Sequence, residues 1–121
     1  MGVVAWSPLG GGFLTGTVRE VAEDDFRRNI PRFDAARLAA NNGRYTPIRS
    51  LAAELGITPG QLALSWLLRQ DPAVVPIPGS RTPAHIAENL EAARIGLPAG
   101  TLARVDQALR EFAPLGTGSL R

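Results

Sequence analysis

The sequence predicts an α/β fold with two parallel strands, and three observations lead to this prediction. Apolar runs at residues 3–6 and 73–77 each pass directly into a loop rich in Gly, Pro and Ser. Neither run alternates with polar residues, which is typical of strands in a parallel sheet that is covered on both faces. Helical spacing and helix-capping residues fill the stretches between and after the two runs.

The segment after the first strand is predicted to contain a long loop and then helices. Residues 17–33 are polar and mixed in charge, which indicates an irregular loop. The following stretch is helical in composition, but Gly43 and Pro47 interrupt it. We therefore expect either two helices, at about 34–42 and 46–55, or one kinked helix.

The next helix has the clearest local signature in the chain. Thr58, Pro59 and Gln61 form the pattern of a capping box, in which the side chains at each end bond to the other's backbone. The residues that follow, to about residue 70, are apolar around most of the helix circumference. Such a helix is predicted to lie between other elements.

Two further helices follow the second strand. Thr82 and Pro83 repeat the pattern of an N-cap and a first helical position, so a helix is predicted from there to about residue 94. A last helix is expected at about 99–112, with one apolar stripe formed by Leu102, Val105 and Leu109. The sequence thus predicts four to five helices in total.

The overall composition excludes several classes of protein. The chain has 121 residues, of which 45% are hydrophobic and 20% charged, so it is globular rather than disordered. No apolar stretch approaches the roughly 20 residues of a membrane span, so no membrane partner is expected. The chain has no Cys and one His, which predicts neither a disulfide nor a metal site. Its first residues resemble no targeting segment, so a cytoplasmic location is expected.

The basic residues are unusual because all 13 are Arg and none is Lys. This bias suggests a GC-rich genome, and it removes Schiff-base and Walker-type chemistry. The net charge is only +2 and the arginines are scattered along the chain. We therefore predict no nucleic-acid partner, because such a partner requires clustered positive charge.

The two loops after the strands are the candidate functional region. Ligands of parallel α/β folds bind at the carboxyl ends of the strands. The second loop leads into a helix N-terminus, which favours an anion, and Arg81 stands there. His85, Glu88 and Asn89 follow at spacings that place them on one helix face. Each feature alone is common on protein surfaces, but together they favour a nucleotide that carries a phosphate.

The residues of these loops also resemble a known family. VAWSPLG followed by FLTG is similar to the seventh strand and following loop of the aldo-keto reductases, and DFRRN with PRF looks like a long loop of their bacterial members. TPGQLALSWLL, VPIPGSR and ENL resemble that family's next helix, eighth strand and cofactor loop. The resemblance covers roughly residues 2–110.

This resemblance implies an NADP(H)-binding (β/α)8 TIM barrel that reduces aldehydes and ketones by hydride transfer. The chain would be a C-terminal fragment of such a barrel, holding its last two βα units. By resemblance, the cofactor-binding residues fall into four groups. Trp6 would stack on the nicotinamide; the pyrophosphate would be lined by Ser7, Pro8, Leu9, Gly10 and Gly12; the 2′-phosphate would be held by Gly79, Ser80 and Arg81; and that phosphate and the adenine would be bordered by His85, Glu88 and Asn89.

Two positions depart from the best-known branch of the family. Gly79 stands where Lys is common, and His85 stands where Arg or Gln is common. These departures leave the preference for NADP(H) over NAD(H) open, although Arg81 is a suitable 2′-phosphate ligand.

The family's catalytic Asp, Tyr, Lys and His come from earlier strands, and no residue here is predicted to be catalytic. The chain has no Lys, and its one tyrosine, Tyr45, matches no catalytic motif. Three interpretations follow: the C-terminal portion of a reductase, a short dinucleotide-binding protein without catalysis, or one half of a split barrel. A small carbonyl substrate is expected only with the rest of the barrel. In isolation, exposed strand edges predict self-association.

Overall fold

A computed structural model describes residues 2–6, 8–10 and 12–112, apart from the side chains of Trp6 and Arg32. The strands and helices within these ranges are β1 (Val3–Trp6), α1 (Ala35–Arg44), α2 (Thr46–Leu55), α3 (Pro59–Leu68), β2 (Val74–Ile77), α4 (Pro83–Glu91) and α5 (Ala99–Glu111). The predicted α/β class, with two strands and four to five helices, is confirmed.

The two strands pair in parallel, as predicted. Val3 lies opposite Val74, and Trp6 lies opposite Ile77 at the other end of the pairing. Both strands therefore end at the same edge of the sheet. The strand ends Trp6 and Ile77 lie side by side, at the spacing of about 4.8 Å that is ordinary for paired strands.

The prediction that both sheet faces are covered is wrong for the described residues. Helix α3 packs on β2, where Val74 and Pro76 are half-buried. On the other face Val4, Val75 and Ile77 are 63%, 55% and 50% exposed. An apolar run indicates that a strand suits burial on both faces, but it does not supply the element that covers the second face.

The predicted irregular loop at residues 17–33 is partly regular. Short 3-10 turns occur at Phe26–Asn29 and Pro31–Phe33. Asp25 starts the first turn, because its Oδ1 accepts the backbone N–H of Arg27 at 2.9 Å. The composition of the segment did not predict these turns, because each of them depends on a single capping residue or a single proline.

The helical stretch before α3 is divided into two helices, which resolves the alternative that the sequence left open. Tyr45 separates α1 from α2, and Pro47 lies in the first turn of α2. Thr46 is the first helical residue of α2, and Tyr45 is its N-cap. Gly56 ends α2 with a left-handed φ of 69°, which glycine adopts without strain.

The core lies where α1, α2, α3 and α5 meet the 3-10 turn Phe13–Thr15. Its most deeply buried apolar members include Leu38, Tyr45, Ala52, Leu62 and Leu64. Trp66 joins α3 to α5, because its indole N–H donates to Asp106 Oδ1 at 2.8 Å. No helix within the described ranges is long and apolar enough to cross a membrane.

Candidate functional site

The loop after β1 is a tight turn built around two glycines. The N–H groups of Gly12 and Leu14 both donate to Leu9 O at 3.1 Å, and Phe13 N–H donates to Gly10 O at 3.3 Å. Gly10 and Gly12 have φ values of +58° and +91°. These left-handed conformations are strained for other residues, which explains the glycines in this part of the sequence.

Two of the predicted cofactor residues cannot be placed completely at this turn. Ser7 lies outside the described residues, and so does the side chain of Trp6. Pro8, Leu9, Gly10 and Gly12 are described, and each is partly exposed at the edge where β1 ends.

A guanidinium that sequence reasoning had not assigned to the site lies against the same turn. Arg27 Nη1 is 3.5 Å from the position that a Cβ on Gly12 would take. Arg27 also forms an ion pair with Asp25 at 2.6 Å, and its guanidinium lies 5.6 Å from the ring centre of Phe33. The side-chain hydrogen bond from Arg27 lowers the pKa of Asp25 below its ordinary value.

The second loop, residues 78–82, runs from β2 to α4. The Ser80 hydroxyl accepts Thr82 N–H at 3.4 Å and donates to Thr82 O at 3.3 Å, which closes a small turn. Arg81 is exposed and forms no salt bridge with any residue in the described ranges. A Cβ on Gly79 would meet nothing within 4 Å, so the loop leaves open space there.

The N-terminus of α4 is not closed by its own capping residue. Thr82 is the N-cap, but its side chain makes no hydrogen bond to the first turn, and Pro83 has no N–H. The first intrahelical bond is from Ile86 N–H to Thr82 O at 3.1 Å. The N–H groups of Ala84 and His85 are therefore available to an anion, at the positive end of the helix dipole.

The three predicted residues on α4 occupy positions near this helix end. His85 is exposed, whereas Glu88 and Asn89 are half-buried. Gln61 Nε2 donates to Glu88 O at 3.1 Å and so fixes α4 against the start of α3. Sequence reasoning gave Gln61 only a capping role, because nothing in the sequence pairs residues 27 positions apart.

The side chain of Tyr45 is buried and cannot act as an acid or base at this edge of the sheet. Tyr45 is 1% exposed, and its hydroxyl donates to Leu14 O at 2.7 Å. Burial raises its pKa above the ordinary value, although the charge of Arg49 opposes the shift. The described residues also contain no group of three side chains that could hold a metal ion.

The two loops and α4 thus bring backbone donors and cations to one edge of the sheet.

Comparison with known proteins identifies the family to which the chain belongs. The model of the aldo/keto reductase family matches residues 1–110. The chain belongs to the aldo/keto reductase family. The two parallel strands and five helices of the described residues are consistent with part of the (β/α)8 barrel of that family.

Individual relatives agree with this assignment. The chain is 38% identical over 117 residues to the aldo-keto reductase yakc [NADP(+)] of Schizosaccharomyces pombe, a match that covers 94% of this chain and 34% of that protein. It is 35% identical over 112 residues to the aldo-keto reductase str7 of Strobilurus tenacellus, covering 90% and 33%. It is 37% identical over 111 residues to the probable aldo-keto reductase 1 of Glycine max, covering 90% and 32%. The chain therefore spans about one third of the length of these relatives.

Proposed function

We propose that the chain supplies the NADP(H)-binding part of an aldo-keto reductase that reduces aldehydes and ketones. The carrying observation is the open N-terminus of α4, which lies beside the exposed Arg81 at the carboxyl edge of the sheet. Backbone donors at a helix start and an adjacent guanidinium form a suitable site for a phosphate group. The name of the Schizosaccharomyces pombe relative includes NADP(+), which supports this choice of cofactor.

The residues present fit a cofactor with phosphates at two places. The pyrophosphate would lie along Ser7, Pro8, Leu9, Gly10 and Gly12, where glycine conformations let the backbone approach a ligand closely. The Arg27 guanidinium lies next to Gly12, where its charge is partly offset by Asp25. The 2′-phosphate would lie at Ser80 and Arg81, where the open space at Gly79 admits it.

The remaining predicted contacts concern the two ring systems of the cofactor. Trp6 would face the nicotinamide from the end of β1. His85, Glu88 and Asn89 would border the adenosine on α4, where two of the three are already half-buried. Because the half-buried side chains have lost part of their rotational freedom, binding would cost them less conformational entropy.

The cofactor supplies a hydride for the carbonyl carbon of the substrate, and the carbonyl oxygen then requires a proton. The described residues offer no suited donor: the hydroxyl of Tyr45 is buried and bonded to Leu14 O, and the chain has no Lys. We therefore propose that the proton donor comes from outside these 121 residues and that the chain alone binds cofactor without turnover.

The uncovered sheet face agrees with a role as part of a larger barrel. Val4, Val75 and Ile77 all lie on the face opposite α3, and each is at least half exposed. In a closed barrel the interior faces of the strands are packed together. In the isolated chain the same face would promote self-association, which sedimentation at rising concentration measures.

Thermal unfolding with and without cofactor tests the proposed function. A ligand that binds the folded chain raises its midpoint, so NADPH should raise it by more than NADH does. Arg81→Ala should remove the difference between the two cofactors, whereas Arg94→Ala, a matched control at another exposed arginine in the 3-10 turn that follows α4, should keep it. A midpoint that neither cofactor changes, in wild type or control, would overturn the proposal.

A further inference from the structure

The loop after β1 is tied to the helices by three side chains, which we name the loop latch: Asn42, Tyr45 and Arg49. The Tyr45 hydroxyl donates to Leu14 O at 2.7 Å, and Asn42 Nδ2 donates to Val18 O at 2.9 Å. Arg49 Nη2 then donates to Asn42 Oδ1 at 2.8 Å. Asn42 and Tyr45 are 5% and 1% exposed, so these bonds are shielded from water.

The latch is one connected unit rather than three separate contacts. The Arg49 guanidinium lies 5.7 Å from the ring centre of Tyr45 and fixes the same Asn42 that holds Val18 O. Gly16 lets the loop pass close to this group, because a Cβ there would stand 3.1 Å from Arg49 Nε. Its φ of +74° also favours glycine at this point of the loop.

Arg49 keeps this place despite unfavourable surroundings. Its Nε is buried and has no hydrogen-bond partner within the described ranges. Burial and the nearby charge of Arg19 both lower the pKa of Arg49, although Tyr45 opposes the shift. A buried donor without a partner destabilises a fold, and the contacts of the same guanidinium with Asn42 and Tyr45 act against this loss.

Apolar packing fixes the loop at Phe13, which is 6% exposed, but it is incomplete beside the neighbouring residues. A cavity of about 290 Å³ lies behind the loop and is lined mainly by apolar side chains, among them Pro8, Leu14, Leu62, Trp66 and Leu109. Atoms that border a void lack dispersion contacts on one side, so they are restrained less firmly than atoms in a filled core. The directional bonds of the latch therefore add restraint to this loop beyond its apolar packing.

The restraint reaches the glycine turn through short backbone connections. Leu14, whose carbonyl oxygen is held by Tyr45, donates its own N–H to Leu9 O at 3.1 Å. The Thr15 hydroxyl donates to Gly12 O at 2.6 Å. A displacement of residues 14–18 would thus shift Leu9 and Gly12 as well.

We propose that Asn42, Tyr45 and Arg49 are positioning residues for the cofactor loop: they hold the carbonyls of Leu14 and Val18 so that the backbone of Leu9, Gly10 and Gly12 is preset for a pyrophosphate. None of the three is among the proposed cofactor contacts. The inference rests on the proposed function, because it assigns a role to residues behind the same site. A preset loop raises affinity by lowering the ordering cost of binding.

Tyr45→Phe tests the latch with the smallest change, since it removes the hydroxyl and keeps the ring that lines the cavity. We expect hydrogen exchange at the amides of residues 12–18 to rise about tenfold, since loss of one bond frees the loop locally. NADPH affinity should fall about fivefold, mainly through faster dissociation. Arg49→Lys keeps a cation that can donate to Asn42, so it should change both quantities less than Arg49→Ala does.

Ser65→Ala is the matched control, because it removes another hydroxyl of a fully buried residue that donates to a backbone carbonyl, Ile95 O at 3.4 Å, on a side chain that does not line the cavity behind the loop. It should lower the unfolding midpoint by an amount similar to Tyr45→Phe while leaving exchange at residues 12–18 and NADPH affinity unchanged. Equal effects of the two variants on loop exchange would overturn the proposal, since the latch would then act only on global stability.

Two other results separate the latch from the proposed function. If Tyr45→Phe speeds loop exchange but leaves the NADPH affinity unchanged, the positioning role is overturned and the proposed function stands. If the wild-type chain binds no NADPH, the proposed function fails and the positioning role fails with it, while the exchange data still show whether the latch restrains the loop.

Discussion

Helices α3 and α4 begin with the same Thr-Pro dipeptide, yet only α3 closes its own N-terminus. At α3 the Thr58 hydroxyl accepts Gln61 N–H and the Gln61 side chain accepts Thr58 N–H, both at 3.1 Å. At α4 the Thr82 side chain makes no such bond, and the third helical position is His85. At this third position, Gln61 completes a capping box and closes the N-terminus of α3. His85 cannot do so, and the N-terminal N–H groups of α4 remain available to a ligand.

The rest of the molecule shows the same difference between a side with mostly satisfied polar groups and a side with exposed ones. On the helical side the Tyr45 hydroxyl and the Trp66 indole N–H each have a protein partner, whereas Arg49 Nε has none within the described ranges. At the carboxyl edge of the strands, Arg81 and His85 are exposed, and α4 contains no fully buried residue. Stability is therefore concentrated around α3, whereas the groups suited to binding lie around the start of α4.

The largest expected effect compares one leucine from each helix. Leu62 on α3 is 1% exposed and Leu90 on α4 is 69% exposed. Leu62→Ala should reduce the free energy of unfolding by about 2–5 kcal/mol, because it removes core contacts and leaves a cavity. Leu90→Ala should change it by less than about 0.5 kcal/mol. Chemical denaturation of both variants measures the difference, and similar losses would abolish the contrast between the helices.

The next effect concerns how the free energy of unfolding changes at high pH through the buried hydroxyl of Tyr45. Burial raises its pKa in the folded chain above the ordinary value of about 10, so the unfolded chain loses the phenol proton first. Stability from the neutral hydroxyl is then fully present below about pH 10 and is lost progressively above it. Because the chain has one Tyr and no Lys or Cys, few other groups titrate in this range.

Denaturation between about pH 8 and pH 11 tests this expectation, since Arg remains charged there. The free energy of unfolding of wild type should decline at the alkaline end, and that of Tyr45→Phe should stay nearly level. Parallel curves for the two proteins would show that Tyr45 does not carry the alkaline loss.

The smallest expected effect is a direct comparison of the two caps. Thr58→Ala should reduce the free energy of unfolding by about 1 kcal/mol, because it removes a capping hydrogen bond. Thr82→Ala should reduce it by less than about 0.5 kcal/mol, because no such bond exists there. Equal losses, measured by thermal denaturation under the same conditions, would show that the α4 cap is closed in solution.

Features with local causes were predictable from the sequence. The capping box at Thr58, the start of α4 at Pro83 and the two apolar strands follow from signals within a few residues. Which elements cover the sheet was not predictable. The apolar residues around Val75 indicate that the strand is suited to burial, but they do not identify the element that packs on it. The 3-10 turns at residues 26–33 depend on single residues, Asp25 and Pro31, within a polar segment.

The candidate site was predictable to the extent that its chemistry is local. The glycine turn and Arg81 beside a helix start follow from composition and order, whereas the role of each cofactor residue came from the family resemblance. The contacts behind the site were missed. Tyr45 meets Leu14 across 31 positions and Gln61 meets Glu88 across 27, and such pairs are created only by tertiary packing.

The most direct test of the central account is the cofactor selectivity of the α4 start, measured as dissociation constants of NADPH and NADH for wild type and Arg81→Ala. The account predicts that wild type binds NADPH more tightly and that Arg81→Ala weakens NADPH binding by roughly 1–3 kcal/mol more than NADH binding, through loss of a charge-assisted contact. Equal weakening for both cofactors, or no preference in wild type, would contradict the assignment of the 2′-phosphate to Arg81 and the open end of α4.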